Sequence, residues 1–216
     1  MSSLALMRWL ESSPARYEAG MRLLTLGRVA RLHAALAEAA APAPGASVLE
    51  IGCGTGALTR LLVQRGAQVT ALDQNPEMLE QARARLAAAP VRWIERTAAE
   101  IDTLPDAHFD AVVASLCLSE MSSAERHFVL REARLRLRPG GVLAVGDEVR
   151  PPRLWQRVLH ACLRAPQVAL AWLAVGSTSR PIPDLGAEVR AAGLHVRRET
   201  HWLGGRLAAL IAERPG

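Results

Sequence analysis

No lysine occurs in this chain of 216 residues; all 26 basic side chains are arginine. That absence excludes Schiff-base chemistry and the phosphate-binding lysine of a P-loop. Aromatic residues make up only 4%, with a single tyrosine, which argues against a stacking platform for single-stranded nucleic acid. Cys53, Cys117 and Cys162 are odd in number and form no CxxC pair, so neither a disulfide framework nor a zinc knuckle is expected. Six scattered histidines show no ligand spacing, and no metal site is expected. The longest greasy stretch, 166–176, falls well below the ~20 residues of a membrane-spanning helix. The first 13 residues lack the basic start and long apolar centre of a signal peptide. These features point to a cytoplasmic protein.

Half of the residues are hydrophobic, enough to build the core of one α/β domain. Acids and arginines balance over residues 1–147, so the net charge of +5 falls in 148–216. A basic tail can serve a nucleic acid, but arginine-only usage also arises from GC-rich coding, and a solvated basic face is the plainer reading.

Residues 3–40 read as two helices, with Ser13 as N-cap and Pro14 at the first position of the second. The segment 41–45, APAPG, reads as a linker, dividing the chain into an N-terminal helical cap (1–44) and a main domain (45–216). Strands are expected at 47–51, 68–73, 91–96, 109–116 and 141–147, and helices at 57–66, 76–89 and 122–138, the last stopped by Pro139–Gly140. Such alternation argues for a parallel sheet covered on both faces. A long apolar helix over 153–175 and a shorter one over 184–192 follow. Two closing strands, 195–203 and 206–213, flank the hairpin signal Gly204–Gly205.

The most informative stretch is VLEIGCGTGALT, 48–59: a strand runs into a glycine turn that opens a helix. Gly52 and Gly54 admit a ligand where a Cβ would collide. The spacing Gly52-x-Gly54-x-x-Ala57, with Asp73 about 20 residues on, also fits a dinucleotide fingerprint. Glu50 separates the readings. A carboxylate at that strand end repels a pyrophosphate and attracts a ligand carrying an ammonium and a sulfonium.

EIGCGTG (50–56), VTALDQNPEML (69–79), FDAVVAS (109–115) and LRPGGVL (137–143) together resemble the ordered motifs of class I S-adenosylmethionine-dependent methyltransferases. The resemblance implies a Rossmann-like, seven-stranded, mostly parallel sheet with helices on both faces and an antiparallel last strand. It implies that Glu50 and the backbone of Gly52, Cys53 and Gly54 hold the methionine part of S-adenosylmethionine. Asp73 would bind the ribose hydroxyls, Gln74 and Met78 would flank the adenine, and Ser115 would lie at the site. Many relatives carry Asp-Ala-Glu where this chain has Ala98-Ala99-Glu100, so adenine recognition would rest on the backbone there and on packing. Three further segments, 10–28, 115–121 and 146–151, resemble the corrinoid protein-associated methyltransferases. That likeness implies a small-molecule or corrinoid-linked acceptor and a corrinoid-binding protein partner.

Glu120 and Asp147 fall just past neighbouring strand ends, where a carboxylate can accept a proton from a nucleophile or attract a cationic one. The alternatives are a helix N-terminal acid for Glu120 and a turn residue for Asp147. Tyr17 is either a lid residue over the cofactor or an amphipathic core residue. The helix at 153–175, with Trp172 and Leu173, is expected to line the acceptor pocket or to meet a partner or a membrane surface.

Overall fold

The computed structural model describes residues 27–151 and 181–216. The first cap helix, Tyr17 and the 153–175 segment lie outside the described residues. Five strands and three helices alternate as expected: β1 (Ser47–Ile51), α2 (Ala57–Gln64), β2 (Gln68–Asp73), α3 (Pro76–Arg85), β3 (Val91–Glu95), β4 (Phe109–Ser115), α4 (Ser123–Arg136) and β5 (Leu137–Glu148). Helix α1 (Val29–Ala40) precedes them; α5 (Leu185–Ala191), β6 (His195–Trp202) and β7 (Leu207–Glu213) follow. The seven strands form one sheet in the order β3-β2-β1-β4-β5-β7-β6. Neighbours from β3 to β5 are parallel, while β7 runs antiparallel to both β5 and β6.

Local chemistry sets the helix starts. Asn75 accepts hydrogen bonds from the N–H groups of Glu77 and Met78 at 2.9 and 3.2 Å, and Pro76 supplies a pre-set φ at the first position of α3. Ser122 and Glu125 form a reciprocal capping box before α4. Most boundaries fall within two residues of the sequence reading; α3 ends earlier, at Arg85 rather than 89, and the α4–β5 junction shifts. Helix α4 ends at Arg136 and β5 begins at Leu137, because Leu137 already pairs with Phe109 across a bulge. Pro139 and Gly140 therefore lie within the span of β5, where the Gly140 N–H bonds Arg214 O. The segment 41–45 is no free linker: Ala41 is buried and accepts from Arg65 Nε, and Gly45 donates to Gly66 O.

Alternation along the strands sorts the core into two layers. One face carries Leu49, Ile51, Leu72, Val112, Ala114, Leu143 and Val145 against α4 and α5. The other carries Val48, Val69, Ala71, Ala111, Val113 and Ala144 against α1 and α2. Helix α1 packs closely on β5, where a Cβ on Gly146 would lie 2.4 Å from Leu32 Cδ1. No described helix is long and apolar enough to cross a membrane.

Candidate functional site

The loop leaving β1 is shaped by what its glycines lack. Gly52 has φ +70°, and a Cβ there would lie 2.8 Å from Cys117 Cβ, so only glycine fits between the turn and the segment after β4. The N–H groups of Gly52 and Cys53 both bond Leu72 O, at 2.8 and 3.1 Å. Gly54 donates its N–H to Asp73 Oδ2 at 2.7 Å, and the Asn75 N–H reaches Asp73 Oδ1 at 2.9 Å. The turn and the end of β2 are thus one preorganised unit, with Asp73 half-buried at its rim.

Glu50 lies beneath that turn, 2% exposed, and Thr59 Oγ1 donates to its Oε2 across 2.6 Å. Burial pushes its carboxyl up to about 8, against the pull of the Thr59 hydrogen bond and with a smaller push from the Asp73 charge. A buried acid that gains by meeting a cation is the strongest electrostatic feature of the site.

The remaining expected cofactor residues fall into two groups. Met78 is buried on α3 and Ala98 is half-buried at the start of a short 3-10 turn, Ala98–Thr103. Gln74, Ala99 and Glu100 are exposed, and Glu100 is engaged with its own turn, accepting from the Thr97 N–H at 3.0 Å and hydroxyl at 3.1 Å. Cys53 is buried, and burial drives its thiol far above the ordinary range. Side-chain parity puts Glu50, Asp73 and Ser115 on the sheet face that packs α1 and α2.

Asp147 does not join them. It lies within β5 on the opposite face, fully buried, so it is neither the strand-end carboxylate facing the acceptor that the sequence suggests nor a turn residue. Its Oδ2 accepts from the N–H groups of Leu118 and Ser119 at 2.8 and 3.2 Å, and its Oδ1 from the Glu148 N–H at 2.7 Å. Burial still raises its carboxyl to about 6 against these bonds. Glu120 ends the 3-10 turn Leu118–Glu120 and is exposed. The far side of that turn is held by Arg126, whose Nη1 donates to Met121 O at 3.0 Å while its Nε and Nη2 grip Glu188 of α5 at 2.6 and 2.8 Å.

Three contributors are absent from the sequence reading. Thr59 is recognisable only once α2 begins at Ala57, which turns it toward β1. The Arg126–Glu188 pair spans 62 positions and leaves no local signal. His33, on α1, places Nε2 3.1 Å from Ser115 Oγ; its spacing carries no hint of that partner. Leu116, next to Ser115, adopts φ +58°, a left-handed conformation costly for leucine and met at functional strand ends.

A doubly wound sheet with a glycine turn after β1, an acid at the end of β2 and a reversed β7 defines the class: the Rossmann-like methyltransferase fold. A solved O-methyltransferase family protein from Burkholderia thailandensis shares it, with a TM-score of 0.71 at 21% identity over 95% of this chain and 62% of that one. Residues 48–141 match the family described as a methyltransferase domain. An uncharacterized methyltransferase of Synechocystis sp. is 30% identical over 207 residues, covering 94% of this chain and 93% of its own. A demethylmenaquinone methyltransferase of Parafrankia sp. is 33% identical, covering 93% and 90%. The chain belongs to the class I S-adenosylmethionine-dependent methyltransferases, and S-adenosylmethionine is its cofactor. That membership removes the dinucleotide alternative for Gly52-x-Gly54-x-x-Ala57. The residues present suit the cofactor: a buried acid for its cationic end, a turn whose Gly52, Gly54 and Gly56 lack Cβ atoms, and a half-buried carboxylate at the strand edge.

Proposed function

We propose that this enzyme methylates a small-molecule acceptor, with the cofactor laid across the ends of β3, β2 and β1. Glu50 and the Gly52–Gly54 backbone meet its methionine part, Asp73 its ribose, and Met78 and Ala98 its adenine. When bound, the cofactor supplies a methyl group already activated by its sulfonium. The chain's part is alignment and exclusion of water. Asp73 is pre-aimed by Gly54 and Asn75, and a carboxylate so fixed can accept from two vicinal hydroxyls. The exposed Glu120 marks the acceptor-side rim, where it draws in a polar or cationic acceptor, while Asp147 fixes the turn that carries it.

The observation that carries this reading is Glu50, a buried acid under the glycine turn with no arginine partner among the described residues. Calorimetric titration tests it. S-adenosylhomocysteine should bind the wild type, and Asp73→Ala should weaken it at least tenfold, about 1.4 kcal/mol. Undiminished binding to Asp73→Ala would remove the ribose assignment.

The likeness of 115–121 and 146–151 to corrinoid protein-associated methyltransferases supports a second reading, a corrinoid-carried acceptor. Co-migration with a corrinoid-binding protein on size-exclusion chromatography is its test.

A further inference from the structure

The strand order runs β3-β2-β1-β4-β5, so the end of β4 comes next after the ends that the proposed cofactor site occupies. There Ser115 ends β4 on the same sheet face as Glu50, whose register partner Val113 is two residues earlier. Into this spot α1 delivers one side chain. Leu32 locks the helix by filling the space left by Gly146, and the next residue, His33, meets Ser115 Oγ through Nε2 at 3.1 Å. Nδ1 makes no hydrogen bond among the described residues. The strained φ of Leu116 shows that the chain bends sharply as soon as Ser115 is in place.

We propose that His33, acting with Ser115, receives the proton that the methyl acceptor gives up, and that the acceptor therefore carries an ionisable O–H, N–H or S–H group rather than a cobalt centre. This rests on the cofactor placement above. In the tautomer with its proton on Nδ1, Nε2 accepts the Ser115 hydroxyl hydrogen. As the acceptor's heteroatom bonds to the methyl carbon, the carbon–sulfur bond breaks and its electron pair stays on sulfur. The acceptor's proton passes to Ser115 Oγ while the Ser115 proton passes to Nε2. Positive charge leaves the sulfonium as it reaches the imidazole, so the net charge near Glu50 is unchanged through the step. Burial holds the free imidazole neutral, lowering it to about 4, so Nε2 is open but weakly basic and takes the proton only as bonding to the methyl carbon acidifies the acceptor's heteroatom.

The experiment compares two ligands on the intact chain: S-adenosylhomocysteine, and sinefungin, which bears an ammonium where the cofactor bears its methylsulfonium. The His33 ring signals in NMR, assigned by their loss in His33→Gln, should differ between the two complexes. His33→Leu should weaken sinefungin roughly tenfold while leaving S-adenosylhomocysteine within about twofold, because the Ser115 hydroxyl then loses the acceptor of its own hydrogen and no longer holds its oxygen toward the ammonium. Equal ring signals in both complexes, or equal losses for both ligands, would overturn the proposal and leave His33 as a packing residue of α1. Should His33→Leu fail to fold, the wild-type spectra decide alone. Failure of both ligands to bind the wild type would overturn the cofactor placement itself, a different and distinguishable result.

Discussion

Thr59 donates its hydroxyl hydrogen to Glu50 Oε2 across 2.6 Å, closing a buried pair beneath the glycine turn. A single neutral donor cannot hold a fully buried carboxylate in its charged form. Glu50 is accordingly protonated at neutral pH until a cation arrives. Binding an ammonium-bearing ligand then expels a proton. We expect the affinity for S-adenosylhomocysteine to rise up to about tenfold per pH unit from pH 6.5 toward 8, then level off. Calorimetry in buffers of different ionisation enthalpy should count close to one proton released at pH 7. Glu50→Gln should release none.

The same group shapes the stability of the ligand-free protein. A folded-state value near 8, above the ordinary 4.5, means the folded chain holds more protons than the unfolded one between those limits. Stability therefore falls as pH rises through that window. Asp147 acts in the same sense from 3.8 to about 6, whereas His33, lowered from 6.5 to about 4, acts in the opposite sense. Between 6.5 and 8 Glu50 stands alone among these three. The melting temperature should drop across that range, and Glu50→Gln should flatten the drop.

Asp147→Ala deprives the Leu118 and Ser119 N–H groups of their buried acceptor. Each orphaned donor costs about 1–3 kcal/mol, so a loss of roughly 2–6 kcal/mol in urea denaturation is expected. Amide exchange at Leu118 and Ser119 should accelerate more than exchange in β1. Uniform acceleration would mean that Asp147 supports the whole sheet rather than this turn.

Gly146→Ala sets a methyl group into Leu32, a residue with no exposed surface. Overpacking of this kind costs about 1–3 kcal/mol. Leu32→Ala, combined with it, should restore part of the loss, since the clash lies with that side chain. Denaturation of the double variant measures the coupling.

Removing either member of the Arg126–Glu188 pair leaves the other buried and unpaired, with side chains only 6% and 12% exposed. Arg126→Ala should cost about 3–5 kcal/mol. The paired replacement by Met and Leu should recover much of it.

The βαβ rhythm was legible because each strand is a short apolar run and each helix opens on a capping residue such as Asn75 or Ser122. The glycine turn and Asp73 were legible because strand, turn and helix are contiguous in the chain. Distant pairings were not. Leu137 joins β5 through a partner 28 positions away, which no local propensity announces beside Pro139 and Gly140. Asp147 reads in the sequence as a strand-end acid, yet β5 continues to Glu148 and its carboxylate is taken by the Leu118 and Ser119 N–H groups. His33 could not be singled out, as its role depends on which strand end α1 crosses.

Strand β7 is wedged between β5 and β6, although the ribosome makes it after both. Its seven pairings with β5 include Ala209 against Gly146 and Ala208 against Asp147. While the first five strands are already free to assemble in parallel, β6 has no sheet neighbour until β7 emerges, and one edge of β5 stays open meanwhile. An open edge invites the wrong partner. Translation at about 5–20 residues per second leaves that edge bare for seconds as the intervening residues are made. The polar outer strand His195–Trp202, with Arg197 and Arg198, closes the sheet with a surface that discourages a further strand.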